Sequence, residues 1–465
     1  MSDQACGTID DFNAKEEGLE LSGLKVLVVG LGVTGISAAR FLSERGALVT
    51  ATDLRTESEL DGTGELRYMG ASIICGGHDV SAASGMELIV VSPGVPSRIP
   101  LLNDARENGV EVISEIELAS RFIKEPIIAV TGTNGKTTTT TLIGEVLRRG
   151  GKSVFVGGNI GTPAIDYVIK GEKKDYCVLE VSSFHLETIK TFRPKVAIVL
   201  NITEDHLYRY RDFDDYARTK FSIFSNQGAG DTAIVNISDP VIARELTECK
   251  PKGRVLPFSA EGEISSGDGI FMRDGRVVLR LDGIEEEYAD FSGVRTSMEN
   301  IMATIGAARL LNIDTERVEE AVGSFKGLRH RLELVREASG VKYINDSKAT
   351  NIGSVVEALR VTQGPVVLIA GGVDKGGDYT VLRELVREKV RLLILTGEAK
   401  FKINEAIGDI TPTVLVSSLA EGVKAAVVRA KDGDTVLLSP ACSSFDEFSS
   451  FEERGDRFRK LVEVQ

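Results

Sequence analysis

Eight consecutive residues, Thr131-Gly132-Thr133-Asn134-Gly135-Lys136-Thr137-Thr138, have the types and spacing of a polyphosphate cradle. The apolar run Ile127–Val130 precedes them and reads as a short buried strand. The glycines allow a tight turn, and the threonine-rich run opens a helix. Successive backbone N–H groups and a helix N-terminus then face one concavity, which suits phosphate. Lys136 is placed to neutralise β/γ-phosphate charge, and the Thr137 hydroxyl suits Mg2+. The strict P-loop pattern has glycine where Val130 stands, so this is the variant T-G-T-x-G-K-T. The chain is expected to bind a nucleoside triphosphate with Mg2+ through Gly132, Thr133, Asn134, Gly135, Lys136, Thr137 and Thr138.

Other polar groups fall at predicted strand ends. Glu180 closes a strand over 175–181, and His206 follows a strand over 195–200 within N-I-T-E-D-H. Both should converge beside the phosphate loop, where Mg2+ takes carboxylate oxygens together with phosphates. A third set lies in N-D-S-K-A-T-N (345–351), G-G-V-D-K-G-G-D (371–378) and S-P-A-C-S-S (439–444). Its Lys, Asp, Ser and Thr side chains suit a small charged substrate of amino-acid type, held against a transferring phosphate. Near the N-terminus, Gly30-Leu31-Gly32-Val33-Thr34-Gly35 follows the strand 25–29, and Asp53 ends the next strand. This is the dinucleotide fingerprint, which taken alone points to a nicotinamide cofactor; a nucleotide-sugar diphosphate could use the same loop, with Asp53 and Arg55 at the nucleoside end. Ser92-Pro93-Gly94 leaves another strand at the same sheet edge.

Positioning these groups takes three α/β units. The pattern predicts a flexible extension over 1–20, a Rossmann-like domain over 21–124, an ATP-binding P-loop domain over 125–325 and a second Rossmann-like domain over 326–465. Residues 270–281 read as a β-hairpin turning at Asp274-Gly275, a small antiparallel addition to the central domain. A helix follows over 297–311. Because third-domain groups must reach the γ-phosphate while bulky substrates enter, an open–closed hinge is expected near Gly323–Leu328.

Composition narrows the function classes. The 465 residues carry net charge −14, which argues against nucleic acid or an anionic membrane as partner. No apolar run reaches the ~18 residues of a membrane span, and the N-terminus shows no signal-peptide pattern. Five cysteines (Cys6, Cys75, Cys177, Cys249, Cys442) without a C-x-x-C pair suit reduced thiols and a cytoplasmic location.

T-G-T-N-G-K-T-T, E-V-S-S-F, N-I-T-E-D-H, G-L-R-H-R, N-D-S-K-A-T-N, G-G-V-D-K-G-G-D and L-S-P-A-C-S-S-F-D-E-F together resemble the Mur ligases of peptidoglycan synthesis, from about Gly23 to the C-terminus. The resemblance implies that the three domains bind a UDP-sugar, ATP and an amino acid. ATP would phosphorylate a carboxylate, and an amine would attack the acyl phosphate. Within the family, the G-L-G-V-T-G start (30–35) and the L-S-P-A-C-S-S-F-D end resemble the member acting on UDP-N-acetylmuramoyl-L-alanine and D-glutamate, expected as a monomer. Carried over by position, Thr34, Asp53, Arg55 and Ser92 would line the UDP pocket. Asn159 would lie near the muramoyl group, with Asn300 and Arg331 at ATP. Asp205, Thr350, Lys375, Ser444 and Phe451 would serve the amino-acid and acyl-phosphate side, with Lys348 joining Lys136, His206 and Lys220 in catalysis. Thr137, Glu180, His206 and Lys220 would be metal ligands. Spacing alone makes Lys220 a surface-helix lysine; the resemblance implies a lysine carbamylated by CO2. The chain departs from the family pattern at His185 (Gln), at Tyr208 (Asp) and at Glu299 and Ala303 within H-N-x-x-N. Three readings stand: the amide ligase, with this or another amino acid or acceptor; a nicotinamide oxidoreductase built on Gly30, Gly32, Gly35 and Asp53; and a nucleotide-dependent switch.

Overall fold

The computed structural model describes residues 19–464, so nearly all of the expected extension over 1–20 lies outside the described residues. Three sheets follow one another along the chain. The first contains β1 (Lys25–Val29), β2 (Leu48–Asp53), β3 (Ser72–Cys75), β4 (Leu88–Val91) and β5 (Glu111–Ser114) in the order β3-β2-β1-β4-β5. All its pairs are parallel, which makes it a doubly wound sheet. Helix Val33–Glu44 starts on the glycine-rich turn and buries Ala38, Ala39, Phe41 and Leu42. Gly35 permits that close approach: a Cβ there would stand 1.8 Å from the Gly30 carbonyl oxygen.

The central sheet holds β6 (Ile127–Thr131), β7 (Val154–Gly158), β8 (Tyr176–Glu180), β9 (Val196–Val199), β10 (Thr232–Asn236), β11 (Arg254–Ser259), β12 (Gly269–Arg273), β13 (Arg276–Leu281) and β14 (Ile284–Glu287). Their order is β14-β13-β12-β11-β10-β9-β6-β8-β7. The P-loop strand β6 lies between β8 and β9, and its residues Ile127–Val130 are fully buried, hence their apolar composition. The predicted hairpin forms between β12 and β13, with Asp274 and Gly275 both at positive φ as a type I′ turn requires. It continues the main sheet, because β12 also pairs parallel with β11. Asp282-Gly283 makes a second such turn and adds β14, a strand not anticipated although its D-G signal is the same.

The third sheet comprises β15 (Glu333–Ala338), β16 (Val341–Asn345), β17 (Val366–Gly371), β18 (Val390–Thr396), β19 (Thr413–Leu415) and β20 (Thr435–Leu438), in the order β15-β16-β20-β17-β18-β19. The edge strand β15 is antiparallel to β16 and was also not anticipated. The last strand, β20, inserts between β16 and β17, which brings 345–351, 371–378 and 439–444 to one sheet end. No helix among the described residues is long and apolar enough to cross a membrane.

Two buried carboxylates of helix Glu115–Ser120 clasp the first sheet to the second. Glu117 accepts the Lys190, Thr191 and Phe192 N–H groups at 2.8–3.0 Å. Burial would raise its pKa, but bonds from Thr191, Lys190 and Arg121 outweigh that and hold it below the ordinary value. Glu115 Oε1 accepts the Ile165 N–H at 2.6 Å, while its Oε2 has no partner. Burial therefore pushes the Glu115 carboxyl up to about 7. The folded state retains this proton between pH 4.5 and 7 while the unfolded state releases it, so stability falls as pH rises through that window. Glu115→Gln should remove up to about 3 kcal/mol of this pH dependence. Chemical denaturation at pH 5 and pH 8 measures it, and equal pH slopes in both proteins would assign the titration elsewhere.

Candidate active site

Strand β6 delivers the chain into the loop 132–135, and helix Lys136–Arg149 begins at once. The loop is stitched to the turn after β9: Asn134 N–H donates to Asn201 Oδ1 at 2.8 Å, and Thr133 Oγ1 lies 3.1 Å from the Thr203 carbonyl. Lys136 folds back so that Nζ donates to the Gly132 and Thr133 carbonyls at 2.8 and 2.7 Å. The same Gly132 carbonyl accepts Lys220 Nζ at 2.8 Å. Lys220 is only 2% exposed, on the inner face of helix Phe213–Phe221 with Nζ 4.7 Å from the Tyr216 ring centre. It is not a surface lysine. Burial, with the Lys136 charge next, holds its pKa well below the ordinary lysine value. Burial also lowers that of Lys136, against the pull of Glu180 and Asp205.

Glu180 ends β8 beside the loop. Its Oε2 accepts the Thr137 hydroxyl at 2.7 Å, and its Oε1 accepts Asn159 Nδ2 at 2.9 Å. Arg331, from the segment leading into β15, donates to Thr137 Oγ1 at 2.9 Å. Thr138, Asn300 and Arg331 border a cavity of about 80 Å³ together with Asp346 and Glu357. The Asn300 amide is committed within the protein, accepting from Thr139 Oγ1 at 3.0 Å and donating to Thr296 Oγ1 at 2.9 Å. It packs against Gly135, where φ is +81° and a Cβ would stand 2.2 Å from Asn300 Oδ1. Gly135→Ala is expected to cost about 2 kcal/mol of stability, from strain plus overpacking. It should also raise KM for ATP about tenfold, whereas Gly64→Ala, with open space around it, should change neither. Wild-type ATP kinetics in Gly135→Ala would remove the loop from nucleotide binding.

The third sheet supplies the opposite wall. Asn351 Nδ2 bridges Asn134 Oδ1 at 3.1 Å and Asp205 Oδ2 at 3.0 Å, and Ser354 Oγ donates to Asn134 Oδ1 at 2.7 Å. Lys375 Nζ lies 3.7 Å from Asp205 Oδ1. Burial would raise the Asp205 pKa, but Lys375, His206 and Asn351 outweigh it and keep the carboxylate ionised. His206 sits in the left-handed region at φ 55°, with Nδ1 3.3 Å from the Tyr208 hydroxyl. Burial and neighbouring lysines bring its pKa to about 4, so the imidazole is neutral at pH 7. Asp205, His206, Tyr208, Asn351, Lys375 and Tyr379 line a pocket of about 400 Å³. Lys348 Nζ lies 3.7 Å over the Phe451 ring, and burial, followed by the Arg331 charge, brings it to about 8. Thr350 donates its N–H to the Lys348 carbonyl at 2.8 Å. Ser444 is 2% exposed and stands apart from the pocket lining.

Thr34, Asp53, Arg55 and Ser92 line a larger cleft of about 810 Å³, joined from the central sheet by Asn159 and His185. The Asp53 carboxylate accepts the Leu31 N–H at 2.7 Å and three donors of Arg55 at 2.9–3.0 Å. Four donors fill its four acceptor positions. In this structure Asp53 therefore offers no free acceptor to a ribose hydroxyl. Asp53 instead fixes Arg55 at the cleft. Buried His185 caps its own short helix through Ser182 and is held neutral by burial at about 4.

The P-loop set, Glu180, Asn159, Lys220 and Arg331 thus form one cluster, with Asp205, His206, Lys375 and Asn351 facing it. Sequence reasoning named neither Asn201 nor Asn351 nor Ser354 as site residues. The first two stand inside quoted motifs, N-I-T-E-D-H and N-D-S-K-A-T-N, while Ser354 had no signal.

A P-loop met by an arginine and an asparagine from the C-terminal unit, with a second, nucleotide-sized cleft in the N-terminal one, has the layout of a multidomain nucleotide-dependent enzyme. Family models match in succession: "Mur ligase MurD-like, N-terminal domain" over 24–114, "Mur ligase middle domain" over 130–308 and "Mur ligase, glutamate ligase domain" over 330–442. The UDP-N-acetylmuramoylalanine–D-glutamate ligase of Geobacter metallireducens is 48% identical over 96% of this chain and 98% of its own. That of Geotalea daltonii is 49% identical with the same coverage. Among solved structures, a pseudomurein peptide ligase type C from Methanothermus fervidus shares the fold with TM-score 0.60, 20% identity and coverage of 95% and 100%. MurF ligase from Thermotoga maritima, in complex with ADP, gives TM-score 0.58, 19% identity and 96% coverage of each chain. The chain belongs to the Mur ligase family.

Proposed function

We propose that the chain joins D-glutamate to UDP-N-acetylmuramoyl-L-alanine at the expense of ATP, in the cytoplasm. The observation that carries this reading is the facing of two walls. Lys136, Thr137, Glu180 and Arg331 surround the phosphate loop, and Asn351 and Lys375 reach over from the third sheet to Asp205 in the loop after β9. In this reading the 810 Å³ cleft takes the UDP-sugar and the 80 Å³ cavity borders the adenine side. The 400 Å³ pocket takes the amino acid, one carboxylate of which Lys375 would pair. Domain boundaries at 124/125 and 325/326 are consistent with it, since both fall between sheets.

The substrate carboxylate attacks the γ-phosphorus, ADP departs, and the amine of D-glutamate then displaces phosphate from the acyl phosphate. Lys136 and Arg331 offset the charge gathered between carboxylate and triphosphate. Lys348, with a pKa brought near 8, is poised beside the same charges. Thr137 and Glu180 offer adjacent hard oxygens of the kind Mg2+ takes. Among the described residues no cluster of three or more His, Cys, Asp or Glu could hold a metal. The fit is therefore to a cation whose remaining ligands are phosphate oxygens and water. When bound, Mg2+ would neutralise phosphate charge. A carbamate on Lys220 would add a carboxylate, and neutral His206 a further donor.

Phosphate release from ATP should require both the UDP-muramoyl dipeptide precursor and D-glutamate, with L-glutamate and other D-amino acids inert. Release dependent on a different amino acid would reassign the substrate within the family.

A further inference from the structure

Arg209 lies three residues beyond His206, at the end of the turn Leu207–Arg209, and its side chain is 6% exposed. Its guanidinium meets three separate structures. Nε and NH2 form a bidentate pair with the buried Glu187 carboxylate at 2.6 and 3.1 Å. NH1 donates to the Pro93 carbonyl at 3.0 Å, and NH2 donates to the Val95 carbonyl at 2.8 Å. The flat face covers the Phe184 ring, with Cζ 4.0 Å from its centre. Phe184 in turn meets the His206 ring edge-to-face at 4.9 Å.

The loop holding Pro93 and Val95 is a wall of the 810 Å³ cleft, and Ser92 Oγ at its head donates to the Gly30 carbonyl at 2.6 Å. One unbroken chain of contacts therefore runs from the glycine-rich turn through Ser92, the 93–95 carbonyls, Arg209 and Phe184 to His206. A buried bidentate pair fixes direction as well as distance, because the guanidinium fork is planar and rigid. Arg98 with Asp215, which also pairs these elements, is exposed and single-contact at 3.2 Å and cannot enforce such alignment.

We propose that Arg209 is a positioning residue that couples the nucleotide-sugar cleft to the loop carrying Asp205 and His206, so that filling the cleft orders that loop. This rests on the reading of the cleft as the UDP-sugar site. Occupancy draws the 93–95 loop against the ligand, and the two carbonyl bonds transmit that placement to the turn after His206. Lysine at 209 would keep the charge but provide neither the fork nor the stacked plane.

The test uses the full chain, wild type and Arg209→Lys, with UDP-N-acetylmuramoyl-L-alanine added alone. Amide hydrogen exchange over 203–209 should slow about fivefold or more on binding in the wild type and less than about twofold in Arg209→Lys. In steady state, Arg209→Lys should raise KM for the UDP-substrate and lower kcat, each about tenfold, with KM for ATP unchanged. Phe184→Leu, which spares the carbonyl bonds, should lower kcat while leaving KM for the UDP-substrate in place. Wild-type exchange coupling and kinetics in Arg209→Lys would overturn the proposal, as would an equal rise in KM for all three substrates. A wild-type protein that neither binds the UDP-substrate nor releases phosphate would overturn the functional reading itself, and this role for Arg209 with it.

Discussion

Lys136→Ala is expected to reduce kcat about 10²-fold or more, because an ammonium offsetting phosphoryl charge in a water-poor site contributes several kcal/mol to the barrier. The ammonium already lies across the loop on the Gly132 and Thr133 carbonyls, within the fields of Glu180 and Asp205. It need only move from those carbonyls to the entering phosphates, so little reorganisation opposes the reaction. The variant should fold, since the glycine turn and the Asn201 bond to the loop do not involve Nζ. Thermal melting checks the fold, and phosphate release with both substrates checks the chemistry. A variant within about threefold of wild type would contradict the assignment of Lys136 to phosphoryl transfer.

Lys220→Arg should be nearly inactive although charge and approximate length are kept. Two lysines share the Gly132 carbonyl as acceptor, so their Nζ atoms can be no farther apart than the sum of two hydrogen bonds. Two ammonium ions that close repel by a few kcal/mol at an effective dielectric near ~20. The more deeply buried of them is favoured as a neutral amine, the form that reacts with CO2. Addition of that nitrogen to CO2 with loss of one proton gives a carbamate. Its negative charge would face Lys136 rather than oppose it, and its oxygens suit a hard cation. A guanidinium can do neither. Turnover should fall in CO2-stripped buffer and recover with bicarbonate in the wild type, a readout independent of how well the variant folds. Full activity in Lys220→Arg, or indifference of the wild type to CO2, would return Lys220 to a purely structural role beneath the loop.

Much of the scaffold was readable in advance because it depends on neighbours in sequence. β1 has the predicted bounds, and the predicted turn at Asp274-Gly275 forms as two consecutive positive-φ residues. The P-loop could be recognised because its glycines, lysine and threonine act within a few bonds of one another. The edge strands β14 and β15 escaped notice for a related reason: their charged sequences, mostly exposed in β14 and only partly buried in β15, lack the apolar alternation that marks a half-buried strand. β14 is acidic and held at the rim by arginine pairs, including Arg273 with Glu285 and Arg309 with Glu286.

Sequence alone determined the class of chemistry, the phosphate loop and the succession of α/β units, since each rests on residue type and on backbone preferences set over a few residues. Tertiary structure alone decided which distant groups meet. The Lys220 bond to Gly132 spans 88 residues, and the Asn351 bond to Asn134 spans 217. The former turns an apparent surface lysine into a buried partner of Lys136; the latter brings the third sheet onto the phosphate loop. Asp53 matches the dinucleotide fingerprint, yet Arg55 and the Leu31 N–H saturate it. Type and spacing leave such outcomes open, because the charge state and reach of a side chain depend on burial and on partners that only the packed sheets bring within a few ångströms.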